Sequence, residues 1–132
     1  MLRIPSQLPE ETETTAEQII GCAIDVHKVL GPGYREKVYC AALCHEFKLQ
    51  SIAFEREKRI HVSYKDLKIG GQRVDLIVRG LVLVELKAVE RFEPIHQAIV
   101  LSYLKTTGLR LGLMINFQRQ VLPGGGIKRV VL

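Results

Sequence analysis

The sequence has 132 residues, 47% of them hydrophobic and 25% charged, which is the balance of one globular domain with a single core. The net charge of +5 is uneven, because residues 37–132 carry a net +8 and residues 1–36 a net −3. A basic body suits a polyanionic partner such as nucleic acid. No apolar run reaches the roughly 20 residues of a membrane helix.

The first residues, 1–13, lack the apolar segment of a signal peptide and carry three glutamates. We expect them to form a tail before a single domain of residues 14–132. Cys22, Cys40 and Cys44 are odd in number and lie in helical sequence, which predicts buried free thiols rather than disulfides or a zinc site. These features together predict a soluble, cytoplasmic protein.

Helical patterns come first along the chain. Thr14 or Thr15 offers an N-cap with a carboxylate or amide three residues on, at Glu17 or Gln18, and apolar residues then recur at helical spacing as far as Leu30. The segment Gly31-Pro32-Gly33 is expected to end this helix. A second helix is predicted from about residue 35 to residue 49, where similar residues recur every three or four positions.

Strands and a third helix follow. The predicted strands lie at residues 52–57 and 59–64 (one strand or two), 67–69, 111–116 and 127–132, with a two-stranded hairpin inside residues 72–89. The hairpin is apolar on both faces, as expected for central strands covered on each side. A helix is expected to start near Pro94 and to end at Gly108. This order of elements predicts an α/β or α+β sandwich.

Three charged residues interrupt the apolar hairpin: Asp75, Glu85 and Lys87. Charges in a buried strand are costly unless they are paired or bind a metal. A two-residue loop would place Asp75 and Glu85 on opposite faces. A three-residue loop at residues 78–80 would pair Asp75 with Leu83 and bring all three charges to one face. We predict the three-residue loop.

This cluster allows two interpretations. Carboxylates hold hard cations such as Mg²⁺, and a neighbouring lysine can orient or deprotonate a water, which indicates metal-assisted phosphodiester hydrolysis. The alternative is an ordinary salt bridge between Lys87 and one of the carboxylates. Elsewhere, His27 and His96 are expected to be structural. Tyr103 could lie in the core or beside a substrate.

Several ordered blocks resemble a known family. Residues 33–39, Gly-Tyr-Arg-Glu-Lys-Val-Tyr, resemble the GxxExxY signature for which a family of small proteins is named. Residues 20–33, 84–89, 103–108 and 112–117 are similar to its other blocks. The resemblance extends over residues 19–131. That family is assigned to the PD-(D/E)XK nuclease superfamily, which implies a restriction-endonuclease-like core with a mixed four-stranded sheet flanked by α-helices.

The resemblance also implies roles for individual residues. Glu36 would be the acidic residue on a helix, and Asp75 and Glu85 would be the carboxylates that bind Mg²⁺ or Mn²⁺. The backbone carbonyl of Leu86 would be a further ligand, and Glu36 a candidate ligand. Lys87 would be the catalytic lysine.

The comparison with the family also concerns two tyrosines and two positions at which this sequence differs from the family pattern. The resemblance implies that Tyr39 and Tyr103 lie on the substrate side. Without the resemblance, Tyr39 would be predicted to be a core residue. Val74 stands where the superfamily name has proline. Ile99 stands where relatives usually carry a glutamine four residues before Tyr103.

The function implied is that of a metal-dependent nuclease acting on DNA or RNA. The alternative is a non-catalytic module that keeps the nuclease fold to bind nucleic acid or a protein partner. The change at Ile99 favours the alternative, whereas the complete set of charged residues favours the enzyme. Small nucleases of this fold often dimerise, so a homodimer is a further alternative, and no membrane partner is expected.

Overall fold

The computed structural model describes residues 7–119, 122 and 124–132. The elements in chain order are α1 (Glu10–Leu30), α2 (Glu36–Leu49), β1 (Phe54–Tyr64), β2 (Leu67–Val78), β3 (Val82–Lys87), α3 (Pro94–Thr107), β4 (Leu111–Asn116) and β5 (Ile127–Val131). Within these described residues, no helix has both the length and the apolar character needed to cross a membrane.

The strands form one mixed sheet in the order β1-β2-β3-β4-β5. Only β3 and β4 are parallel, and α3 lies between them in the chain; the other neighbours are antiparallel. A parallel pair needs such a crossover because a tight hairpin can join only antiparallel strands. The predicted α+β class, with helices flanking a mixed central sheet, is confirmed. Within residues 7–119, 122 and 124–132 the sheet has five strands, one more than the implied core of four.

Helices cover both faces of the sheet, and each side has its own apolar cluster. On one face, α1 and α2 pack on the sheet through Ile19, Ala23, Leu43, Phe47, Val84 and Leu113. On the other, Val100 and Leu104 of α3 pack on Leu83 and Met114. Gly112 permits this close approach, since an added Cβ would lie 2.6 Å from Cγ1 of Val100. The central strands are therefore buried on both sides, as predicted.

Helix α1 begins earlier than expected. Its first residue is Glu10, so the predicted N-cap at Thr14 or Thr15 is wrong. Three glutamates fill the first turn, where negative charge is stabilised by the free N–H groups of the helix start. The expected ends of the helices at Gly31 and Gly108 and the start of α3 at Pro94 are confirmed. The division into a tail, residues 1–13, and one domain, residues 14–132, stays a prediction.

Strands β1 and β2 are longer than predicted. One continuous strand covers residues 54–64, and β2 runs through Gly70 and Gly71, where a break was expected. The register shifts at this point, because Ile60 is opposite Gln72 whereas Val62 is opposite Ile69. The two glycines are therefore accommodated as a bulge rather than ending the strand.

Candidate active site

The loop between β2 and β3 sets the position of the acidic residues. The strands pair at Leu76–Val84, Ile77–Leu83 and Val78–Val82. The connecting loop is residues 79–81, so the predicted length of three residues is confirmed and the predicted position, 78–80, is wrong by one residue. Val78 and Val82 are both fully buried, and the observed register keeps Val78 in the core instead of the loop. Continued along the strands, this register places Asp75 level with Glu85 rather than with Leu83.

Asp75 and Glu85 join the two strands beyond the last of these backbone pairs. The N–H of Asp75 donates to Oε1 of Glu85 at 3.0 Å. The N–H of Leu86 donates to Oδ2 of Asp75 at 2.8 Å. Each carboxylate thus accepts a backbone hydrogen bond from the opposite strand. The two acidic groups are held next to each other by the main chain, as a preformed pair.

Both carboxyl groups of this pair hold protons more tightly than usual. Burial is the main cause of the raised pKa of Asp75, and the charge of Glu36 raises it further. Burial, followed by the charge of Asp75, raises the pKa of Glu85 to about 8. A cation bound between two such groups favours their charged forms and lowers both pKa values.

The ligand atoms of the pair suit a small, hard cation. Carboxylates are oxygen ligands, and Mg²⁺ in proteins often takes only one or two of them, with water and phosphate oxygens completing its shell. In the part of the chain that the structure describes, no three Asp, Glu, His or Cys side chains group together as metal ligands. The residues present therefore fit Mg²⁺ or Mn²⁺ in an open site, and not a closed site of four side chains.

Glu36 lies across a cavity from the pair. It is the exposed first residue of α2, and it lines a cavity of about 160 Å³ together with Asp75 and Leu86. Its charge reaches both buried carboxyl groups, whose pKa values it raises. Cys40 and Arg56 line the same cavity. The predicted acidic residue on a helix is thus beside the pair without joining it as a third clustered ligand.

Lys87 ends β3, two residues after Glu85. Among the described residues it forms no salt bridge with either carboxylate, so the alternative of a plain ion pair does not describe this cluster. Its charge still acts on both acidic groups, because it lowers the pKa of Asp75 and of Glu85. Lys87 is half-buried as a residue, its charge acts on both carboxyl groups, and no ion pair holds its ammonium group within the described part of the chain.

Tyr39 belongs to the core. It is fully buried, and its ring stacks on that of Phe117 with centroids 4.4 Å apart. Its hydroxyl donates to the Gly31 carbonyl at 2.6 Å and accepts the Tyr34 N–H at 3.1 Å. Both roles of the hydroxyl are used in holding the connection between α1 and α2. This environment favours the core interpretation over the implied place on the substrate side.

Tyr103 lies on α3 with its hydroxyl next to Gln72 of β2. It is partly buried, and its hydroxyl donates to Oε1 of Gln72 at 3.3 Å. Burial, and then the charges of Glu85 and Asp75, raise the pKa of its phenol. Ile99 and Tyr103 line one cavity of about 420 Å³ with Gln72 of β2. The position of Tyr103 is compatible with a role on the substrate side.

His27 and His96 each have a hydrogen-bond partner, which agrees with the structural role expected for them. Nε2 of His27 lies 2.6 Å from the carbonyl of Arg119, and Nδ1 of His96 accepts the N–H of Glu93 in a capping box. All three cysteines are free and buried, which confirms the expected free thiols.

Some residues near the pair were not anticipated. Gln72 gave no signal, because only the folded sheet brings it to Tyr103. Arg35 and Lys37 line a cavity of about 580 Å³ with Glu36 and Gln118. Because Arg35 and Lys37 flank Glu36 in the sequence, their place near the site could have been predicted. Gln118 is distant in sequence, and only the fold brings its Oε1 to within 2.8 Å of the Gly33 N–H, from which it accepts a hydrogen bond.

Comparison with known proteins gives one family. A family model described as the PD-(D/E)XK nuclease superfamily matches residues 13–130. No curated protein and no solved structure matches the chain. Together with the mixed sheet between helices, the match gives the chain a restriction-endonuclease-like core.

Proposed function

The chain belongs to the PD-(D/E)XK nuclease superfamily, and from this premise we propose that it is a Mg²⁺- or Mn²⁺-dependent nuclease that hydrolyses phosphodiester bonds in DNA or RNA. The observation that carries the proposal is the hydrogen-bonded pair of Asp75 and Glu85. We further propose membership of the GxxExxY family, on the residues from Gly33 to Tyr39 that resemble its signature.

The metal would be held by Asp75, Glu85 and the backbone carbonyl of Leu86. A bound divalent ion supplies Lewis acidity toward a phosphate oxygen and lowers the pKa of water. Two carboxylates about 4 Å apart repel by on the order of 4 kcal/mol at an effective dielectric of 20, so the apo pair favours cation binding. The raised pKa of Glu85, to about 8, supports this assignment.

Lys87 would act on the reacting groups rather than as a ligand. A half-buried ammonium group beside the carboxylates can stabilise negative charge that develops on the phosphate, or orient the attacking water. Glu36, across the small cavity, would position solvent or join the metal site through water. Tyr103 would present its hydroxyl to the substrate from α3.

A second candidate is a non-catalytic module that binds nucleic acid or a protein partner. It is favoured by the ligand set, because the described residues contain no group of three potential metal ligands. Ile99 also favours it, since an apolar side chain lines the cavity beside Tyr103. Loss of catalysis would leave the fold and its basic surface intact.

Cleavage assays with Mn²⁺ on single- and double-stranded DNA and RNA separate the two candidates. We expect the wild type to cut at least one substrate and Lys87→Ala to cut it about 10²–10³-fold more slowly, the usual effect of losing one electrostatic stabiliser. Lys28→Ala, at an exposed position of α1, is the matched control and should cut normally. The nuclease proposal fails if neither wild type nor Ile99→Gln cuts any of these substrates.

A further inference from the structure

The β1–β2 hairpin extends far beyond the rest of the sheet. The observed pairing of β2 with β3 is confined to Leu76–Val78, whereas β2 pairs with β1 from Leu67 onward. Residues 59–73, called the arm below, therefore form a two-stranded ribbon. Every arm residue except Ile60 is exposed.

The arm has two chemically different faces. Opposed residues of an antiparallel pair share a face. Ile60 packs against α3, and Val62 lines a cavity with Tyr103, so the apolar face lies on the α3 side. The apolar pairs on that face are Val62–Ile69 and Tyr64–Leu67, and the pairs on the other face are Arg59–Arg73 and Ser63–Lys68.

The second face is basic and poorly neutralised. The arm contains four Lys and Arg residues against one acidic residue, Asp66. Among the described residues, Arg73 is the one basic side chain of the arm with an ion pair, a 3.9 Å contact with Glu57 in which both side chains are mostly exposed. Arg59 lies directly opposite Arg73, and like charges in this position destabilise a sheet. A polyanion on this face would remove that repulsion.

The arm is also connected to the acidic pair. Asp75 follows Arg73 on the same strand, about 7 Å further along it. Gln72 lies opposite Ile60 on the apolar face, where it accepts a hydrogen bond from Tyr103 that fixes the arm to α3. Arg73 and Asp75 are two residues apart on one strand and share a face, so a ligand lying along the basic face would run toward the proposed site of cleavage.

We propose that the arm binds double-stranded DNA, with the ribbon in the major groove and the basic face and tip toward the phosphates. This inference rests on the proposed nuclease function and specifies its substrate. The major groove of B-form DNA, about 12 Å wide, admits a two-stranded β-ribbon. The major groove of an RNA duplex is deep and narrow and does not. Lys65 lies at the tip of the ribbon, where it can reach a phosphate.

The test compares two triple variants with the same loss of charge. The arm variant is Arg59→Gln, Lys65→Gln and Lys68→Gln. The control is Lys28→Gln, Lys48→Gln and Lys105→Gln, at exposed positions of the three helices. Binding of a fluorescently labelled DNA duplex, two helical turns long, is measured with EDTA present over a range of salt concentrations. EDTA prevents metal-dependent cleavage, so binding is measured independently of the reaction.

We expect the arm variant to bind the duplex at least about tenfold more weakly. The slope of the logarithm of the binding constant against the logarithm of salt concentration should fall by the equivalent of about three phosphate contacts. The control should lower the slope by about one contact or less. Duplex RNA and single-stranded DNA should bind more weakly than duplex DNA to the wild type. Thermal unfolding of both variants checks that each is folded.

Three results would overturn the inference. The first is equal binding by the arm variant and the control, and the second is arm-dependent binding that prefers RNA or single strands. The third is that the wild type sediments as a dimer and the arm variant as a monomer, while the salt dependence of DNA binding is the same for both. That result would make the arm a contact between two copies of the chain. None of these bears on cleavage with Mn²⁺, so the nuclease proposal stands or falls separately.

Discussion

The two ends of the β1–β2 hairpin lie in opposite environments, one buried in the sheet and the other exposed to solvent. At the sheet end, Leu76 and Val78 are fully buried beside Asp75, and its carboxylate accepts a backbone hydrogen bond from Leu86. In the arm, Lys68 and Arg59 are exposed and have no ion pair among the described residues. One strand, β2, passes through both environments.

This difference indicates which charges the fold needs. A charged group in the core is tolerated only with fixed partners, so the acidic pair is part of the packing that holds β2 and β3. Charges in the arm are solvated and contribute little to folding. Substitutions at the sheet end should therefore change stability and metal response, whereas those in the arm should change mainly binding, with effects on stability of a few tenths of a kcal/mol.

The largest expected effect is on the free energy of unfolding, and it compares a buried residue of β2 with an exposed residue of the same strand. Leu76→Ala removes a side chain that is 0% exposed and should lower the free energy of unfolding by about 2–5 kcal/mol. Leu67→Ala, on the same strand but 60% exposed, should change it by less than about 0.5 kcal/mol. Urea unfolding measures both. Equal losses would mean that the arm is packed against something in solution.

The next effect concerns the metal. Mn²⁺ at about a hundredfold excess over its dissociation constant should stabilise the native protein by about 2.7 kcal/mol, because the unfolded chain lacks the preformed site. Asp75→Asn should abolish the shift in melting temperature. Asp66→Asn, at the arm tip, is the matched control and should keep it. A shift that persists in Asp75→Asn would place the ion elsewhere.

A third effect is the pH dependence of the metal-free protein. The pKa of Glu85 is raised from its ordinary value of 4.5 to about 8, so between these limits the native state binds more protons than the unfolded state. The free energy of unfolding should therefore fall as the pH rises through this window and level off above it. Glu85→Gln should reduce this decline to the part that comes from Asp75, whose pKa is also raised by burial, and should be more stable than wild type above pH 8 by about 1–3 kcal/mol.

Urea unfolding in EDTA at a series of pH values measures this dependence. Glu17→Gln, an exposed carboxylate of α1, is the control for loss of one negative charge. Stability of the wild type that rises over the same window would contradict the assignment of a proton to the buried pair.

The smallest expected effect lies in the arm. Arg59→Gln removes one of two opposed positive charges and should raise the free energy of unfolding by a few tenths of a kcal/mol, within the roughly 0.2–1 kcal/mol of cross-strand pairs. Lys28→Gln should not raise it. Thermal unfolding at low salt measures the difference, which should vanish at high salt. A loss of more than about 1 kcal/mol would show that Arg59 is needed for the fold.

Some features could be predicted from the sequence because their causes are local. Gly31 and Gly108 end helices at positive φ, and Pro94 begins α3 because its fixed backbone suits a first turn. The apolar hairpin predicted central strands because a strand buried on both faces has no polar face to show. The charged residues within it indicated a site because burial without partners is costly.

Other features depended on the tertiary structure, because they are set by contacts between distant parts of the chain. Burial of Val78 against the helices fixed the β2–β3 loop one residue later than expected, and Asp75 came level with Glu85. The place of Tyr39 followed from its stacking on Phe117, far away in sequence.

The sequence by itself determined the fold class, the helix stops at Gly31 and Gly108, the start of α3 at Pro94 and the acidic residues of the candidate site, since residue type and short-range spacing govern each of these. Only the tertiary structure decided the strand register, the separation of Glu36 from the pair, and the extension of the arm beyond β3. Register and exposure depend on which faces the helices cover, and that is a property of the packed molecule and not of any one segment.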